Sequence, residues 1–182
     1  MSDAEPILFQ KDGGVARIRF NRPQVLNALD ERMILAFADA VAQVADDPSV
    51  RVVVLSGEGR GFLAGGDVGR FHAAGAEAPS VVDSIIGPFH GAMTPVVAAL
   101  HGPVAGAGLS LALAADLAIA AEDAKFTLAY SRIGTSPDGG ASWSLPRVVG
   151  LRRALEMALL SDVIDAGEAL RLGLVNKVVP QE

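Results

Sequence analysis

The apolar positions change period along the chain, and each change marks an element. Residues 7–10 are a short apolar run, followed by the turn Lys11-Asp12-Gly13-Gly14. Residues 15–20 then alternate, with Ala16, Ile18 and Phe20 on one face and Arg17 and Arg19 on the other. A short apolar strand and an alternating one on either side of a glycine turn predict a hairpin, its second strand half-buried. Asn21-Arg22-Pro23 breaks the second strand. From Asp30 the period lengthens. Met33, Ile34, Phe37, Val41 and Val44 form one stripe, so Asp30 is expected to cap a helix of about sixteen residues ending near Asp46-Asp47-Pro48.

Residues 50–55 are β-branched and unbroken, as in a parallel strand buried on both faces, and residues 96–100 form a second such strand. Each opens into a glycine-rich connection: SGEGRGFLAGGDVG at 56–69 and HGPVAGAG at 101–108. The run 109–115 is apolar on all sides and predicts a buried helix. Between the two connections, 80–93 is moderately helical around Gly87-Pro88. Beyond them come strands at 117–121 and 125–128, a Pro/Gly loop at 136–140, and helices at 142–149 and 151–160. Asp165 is expected to cap a short helix through Leu172 that Gly173 ends, before a last strand at 175–179. Strands alternating with helices predict an α/β fold with right-handed crossovers. No linker composition divides the chain, so one domain over 1–182 is expected.

Composition narrows the chemistry. The 182 residues are 51% hydrophobic and 20% charged, a globular balance, and aromatics are sparse at 5%. Ala, Val, Leu and Gly must therefore build the core, which favours close helix–strand packing. A net charge of −6 supplies no basic stripe for nucleic acid. The absence of cysteine removes disulfides, thiolate metal sites and thiol nucleophiles. His72, His90 and His101 lack metal-ligand spacing, so no metal is expected. The start has neither a basic nor an apolar signal region, and no apolar run is long enough to span a membrane. A soluble cytoplasmic protein with no membrane partner is the reading.

The two glycine-rich connections share a logic. If strands 50–55 and 96–100 are neighbours, both loops leave the same edge. The N–H groups of Ala64 and Ala107 then converge on one oxygen, as in an oxyanion hole, where one donor contributes about 3 kcal/mol of transition-state stabilisation. A tight turn in a packed core is the other reading of such loops. Asp138, in Gly134-Thr135-Ser136-Pro137-Asp138-Gly139-Gly140, is expected to cap the helix beginning near Ala141 or to bond back into its own turn.

Four segments, in order, resemble the crotonase (enoyl-CoA hydratase/isomerase) superfamily: Phe20-Asn21-Arg22-Pro23 through Leu26-Asn27-Ala28-Leu29, Gly61-Phe62-Leu63-Ala64-Gly65-Gly66-Asp67-Val68, His101-Gly102-Pro103-Val104-Ala105-Gly106-Ala107-Gly108, and Ala124-Lys125-Phe126 through Pro146-Arg147. The resemblance implies a crotonase-like spiral of ββα units, assembled as a homotrimer or a dimer of trimers. It implies an acyl-CoA thioester as substrate, its carbonyl between the Ala64 and Ala107 N–H groups, and no separate cofactor, since CoA is part of the substrate. It places Val25 and Leu26 against the nucleotide end of CoA, where plain packing is the competing role. Gly65, Gly66, Asp67, Val68 and Gly106 fall along the same ligand, with a helix N-cap as the other role for Asp67.

The chain departs from the hydratases of that family at two positions. Where they carry two water-handling glutamates, it has Ser110 and Tyr130. A hydroxyl is no base near neutral pH, so the two-carboxylate route to hydration lacks both groups. Ser110 reads as a small helix residue, while Tyr130 either orients the ligand or packs. Asp138 stands where an aspartate carries the chemistry in several branches, the phenylacetate-pathway (PaaG-like) isomerases among them. The resemblance thus implies double-bond isomerisation by proton transfer through Asp138. Enoyl-CoA hydration and non-catalytic acyl-CoA binding are the alternatives. His90 sits near the place of a histidine base in dehalogenase-like members. His101 replaces the usual asparagine of its loop and is expected to bond a backbone group. The chain ends where family members continue into a C-terminal helical region, so that region is expected to be missing.

Overall fold

The computed structural model describes residues 5–69 and 94–181. The predicted helix at 80–93, His72 and His90 lie outside them. Nine strands and five α-helices are described. In order they are β1 (Ile7–Asp12), β2 (Val15–Phe20), α1 (Glu31–Ala45), β3 (Val52–Gly57), β4 (Val96–Leu100), β5 (Pro103–Ala105), α2 (Ala107–Ala114), β6 (Leu117–Ala121), β7 (Lys125–Thr127), α3 (Ala141–Val149), α4 (Leu151–Leu160), β8 (Ile164–Asp165), α5 (Ala166–Arg171) and β9 (Lys177–Val179). Single 3-10 turns lie at Pro23–Val25 and Tyr130–Ile133.

Six strands form one sheet in the order β1-β2-β3-β4-β6-β9. Only the β1–β2 hairpin is antiparallel; β2–β3, β3–β4, β4–β6 and β6–β9 are parallel. The hairpin and its register follow from the Gly13-Gly14 turn, with Gly13 at φ +56°. Ala16, Ile18 and Phe20 on β2 are fully buried. Asp30 caps α1 by accepting from the Met33 N–H at 2.9 Å, and the stripe of Met33, Ile34, Phe37 and Val44 seats the helix on the core. Phe20 meets Phe37 at 5.4 Å and Phe62 edge-on at 5.5 Å between ring centroids. Such geometry stabilises by roughly 0.5–1.5 kcal/mol beyond the area buried.

A second, three-stranded sheet has the order β5-β7-β8. Two of its strands are departures from the sequence expectation. Residues 103–105 lie within an expected glycine-rich loop, yet they form β5, because Leu63 and β7 supply backbone partners on either side. β8 is only two residues long and pairs with β7. Strands this short carry no readable period. β3 also differs: its buried residues alternate, Val53 and Leu55 inward, so one face is only half covered.

Candidate active site

β3 and β4 are parallel neighbours, with Val53 opposite Val96 and Leu55 opposite Ala98. Their C-terminal connections therefore leave the sheet at one edge. The first connection is held from two sides. Asn27, fully buried, donates from Nδ2 to the carbonyls of Gly61 at 2.8 Å, Glu58 at 3.0 Å and Phe62 at 3.1 Å, and its Oδ1 accepts from the Arg22 N–H at 2.8 Å. On the other side the two connections bond directly. The Phe62 N–H donates to the His101 carbonyl at 2.8 Å, and the Ala105 N–H donates to the Leu63 carbonyl at 3.0 Å. His101 bonds the Gly59 carbonyl through Nε2 at 3.0 Å, the backbone role expected of it.

This ladder corrects one expected donor. The Ala64 N–H already donates to the Leu26 carbonyl at 3.0 Å, so it is engaged within the fold and does not face a ligand. Two peptides later the direction is reversed. The Gly65 carbonyl accepts from the Leu29 N–H at 2.8 Å. In a planar trans peptide the following N–H points the opposite way. The Gly66 N–H is thereby aimed away from Leu29. Gly65 makes the reversal at φ +104°, and a Cβ there would sit 3.2 Å from the Ala105 carbonyl oxygen. The sequence held a signal for this: two consecutive glycines place the free N–H at the second, where the chain can flip.

Ala107 is the first residue of α2, and the N–H groups of a helix's first turn have no intrahelical acceptor. Gly106 ahead of it has φ +51°. Gly108 lets the helix start against Leu63: an added Cβ would come within 2.1 Å of the Leu63 carbonyl oxygen. Ala107 thus begins a helix whose N-terminus favours negative charge.

Three side chains meet one turn into α2. Ser110 is buried, as are Ala107 and Tyr130, and its Oγ lies 3.1 Å from Tyr130 Oη and 3.0 Å from the Asp138 carbonyl oxygen. Tyr130 donates its hydroxyl proton to Asp138 Oδ1. Burial first, and then this bond to a carboxylate, push the Tyr130 phenol far above its ordinary range, so it stays protonated. The side chain of Asp138 does not cap α3. Its backbone carbonyl accepts from the Ala141 N–H at 3.1 Å, and the cap position falls to Gly140 at φ +76°.

The residues expected along the ligand are more scattered. Val25 and Val68 are exposed. Leu26 sits at φ +52° and closes the 3-10 turn onto the Pro23 carbonyl. Asp67 faces Arg22, with Oδ2 3.5 Å from Nη2, and Arg22 also reaches Asp30 at 3.2 Å. Among the described residues no cluster of His, Asp or Glu could hold a metal ion, and no helix is long and apolar enough to cross a membrane.

A family model described as enoyl-CoA hydratase/isomerase matches residues 10–182. The chain belongs to the enoyl-CoA hydratase/isomerase family. It is 37% identical to the 1,2-epoxyphenylacetyl-CoA isomerase of Escherichia coli K12 over 186 residues, 98% of this chain and 71% of that protein. It is also 37% identical to the crotonyl-CoA hydratase of Syntrophomonas wolfei over 183 residues, 98% of this chain and 70% of that one. A crystal structure of an enoyl-CoA hydratase from Mycobacterium avium subsp. paratuberculosis K-10 superposes with a TM-score of 0.89 at 40% identity, covering 96% of this chain and 68% of that chain. The fold is therefore crotonase-like, and the protein is an enzyme of the crotonase superfamily acting on acyl-CoA. The family's two names divide over the same question the site poses, hydration or isomerisation.

Proposed function

We propose that this enzyme isomerises the double bond of an enoyl-CoA thioester by proton transfer through Asp138. One observation carries the reading. Where a two-glutamate hydratase would hold its water, this chain has the hydroxyls of Ser110 and Tyr130, and the Tyr130 hydroxyl donates to the carboxylate of Asp138. The thioester carbonyl is received by the N–H groups of Gly66 and Ala107. Deprotonation at the α or γ carbon by Asp138 moves the electron pair toward that oxygen as a dienolate. The same carboxyl group then returns the proton to the other carbon. The two N–H donors stabilise the charge only while it exists, which is what accelerates the step.

The test compares 3-enoyl-CoA with 2-enoyl-CoA as substrates, in wild type and Asp138→Ala. Isomerisation lost in the variant is expected, with a fall on the order of 10²–10⁴-fold as for other general acid–base groups. Rapid hydration of 2-enoyl-CoA that ignores the substitution would establish the hydratase reading instead. Binding of acyl-CoA without turnover of either would leave a carrier. The reading includes assembly as a homotrimer, supported by the exposed leucines 151, 155 and 159 along one stripe of α4. Light scattering giving three times the monomer mass is the expected result.

A further inference from the structure

Tyr130 stands at a position with two conceivable duties, touching the acyl-CoA or holding the residue that does the chemistry. Its phenol has one proton, and it donates that proton's hydrogen bond to Asp138 Oδ1. Ser110 Oγ approaches the same phenol oxygen at 3.1 Å while lying 3.0 Å from the Asp138 carbonyl and 3.3 Å from the Gly106 carbonyl. One serine hydroxyl thus contacts the tyrosine, the backbone of the aspartate and the residue before Ala107.

The ring itself is held from several directions. Tyr130 begins a 3-10 turn bounded by left-handed Ala129 at φ +60° and Gly134 at φ +71°. The Thr135 N–H donates to the Tyr130 carbonyl at 3.2 Å. The next two residues are tied to Ser161: Ser131 Oγ lies 2.6 Å from its Oγ, and Arg132 Nη2 donates to its carbonyl at 2.6 Å. A phenol so fixed, and kept protonated by burial, is suited to donate one permanent hydrogen bond and unsuited to exchange partners with a ligand.

We propose that Tyr130, braced by Ser110, is a positioning residue that orients the Asp138 carboxylate, and that it is not a ligand for the acyl-CoA. The proposal rests on the reading of Asp138 as the proton-transfer group. A carboxylate that must serve two carbons of one substrate gains from restricted rotation, because a misaligned carboxylate loses rate without losing binding.

The substrate-binding and positioning roles separate in the kinetics. Tyr130→Phe is expected to lower kcat on the order of tenfold to fiftyfold, with KM within about twofold and the melting temperature near wild type. Ser110→Ala is expected to act in the same direction by a few-fold. It carries the kinetic test if Tyr130→Phe does not fold. A KM that rises while kcat holds would overturn the proposal and make Tyr130 a substrate ligand.

A second readout needs no turnover. The chain has one tyrosine, so the tyrosinate absorbance in an alkaline titration reports Tyr130 alone. In Asp138→Ala its midpoint is expected to move down from the wild-type value, yet remain above that of a free tyrosine because burial persists. An unmoved midpoint would overturn the contact on which the proposal stands. If Asp138→Ala keeps full isomerase activity, the catalytic reading falls and the positioning role falls with it. A shifted phenol titration would then still verify the contact, so the two failures are told apart.

Discussion

The proposed carbonyl-binding side of the site is made of peptide groups, at Gly66 and Ala107, whereas the proposed proton-transfer side is made of side chains, at Ser110, Tyr130 and Asp138. The first is set by how close two loops can approach. It therefore demands glycine and small residues and tolerates little else. Gly65, Gly106 and Gly108 each face backbone of the opposite connection. The second side hangs its groups on α2, a 3-10 turn and the loop before α3, where an exchange of side chain leaves the backbone in place. A family can therefore keep one thioester-binding device and change its reaction at the other side. On the proposed reading, hydroxyls at Ser110 and Tyr130 in place of two glutamates illustrate this.

The comparison is most easily broken on the peptide side. Gly108→Ala places a methyl group 2.1 Å from the Leu63 carbonyl oxygen, backbone against backbone. The expected outcome is loss of about 3 kcal/mol or more of stability, read by denaturant titration or as failure to obtain folded protein. Asn27→Ala should come next. It removes the donor to three loop carbonyls at a fully buried position, with an expected cost of about 2–4 kcal/mol by the same measurement.

A sharper cut removes one donor and leaves the fold. Proline is accepted at the first position of a helix, where the missing N–H had no intrahelical partner. Ala107→Pro should therefore keep the melting temperature within a few degrees. It should lower kcat by about 10²–10³-fold, as loss of an oxyanion donor does. An unchanged kcat would remove Ala107 from the carbonyl site. Arg22→Met is a milder test of the loop's anchoring. It removes the guanidinium that faces Asp30 and Asp67 and should lower stability by about 1–2 kcal/mol, with a smaller effect on turnover than Ala107→Pro.

The smallest expected effect lies away from both sides and serves as their control. Asp47 is held at a pKa of about 2, below its ordinary 3.8, chiefly by the hydrogen bond from Lys11 and then by Ser49. A carboxylate depressed in the folded state contributes stability that is present above pH ~4 and lost as pH falls toward 2. In Lys11→Met the acid limb of stability between those pH values should flatten slightly, with no change in kcat at neutral pH. The group is exposed, so the difference should also shrink with added salt.

Much of this architecture was legible in advance. The hairpin, Asp30 as the cap of α1, β4, β6 and α4 follow from local period and capping, because each buries one continuous face. The last strand was read two residues too early and the helix of the second connection two residues too late, since element ends depend on hydrogen bonds with distant segments. β5 and β8 were invisible for the same reason: three- and two-residue strands exist only through their partners.

The amino-acid sequence by itself determined the fold class, the family through four ordered motifs, and the glycine spacing that requires two loops to pack closely. It also offered Asp138 as a candidate, with Ser110 and Tyr130 at the two positions where glutamates are expected. Tertiary structure alone decided which peptide N–H is left for the proposed carbonyl site. The Ala64 N–H is taken by Leu26 and the Gly66 N–H is turned outward, a distinction that rests on one peptide's orientation and leaves no trace in residue type. It likewise decided that Ser110, Tyr130 and Asp138, 28 residues apart at the extremes, form one hydrogen-bonded group. Hydrogen bonds between side chains are set by distance in space, and only the folded backbone brings those three within reach.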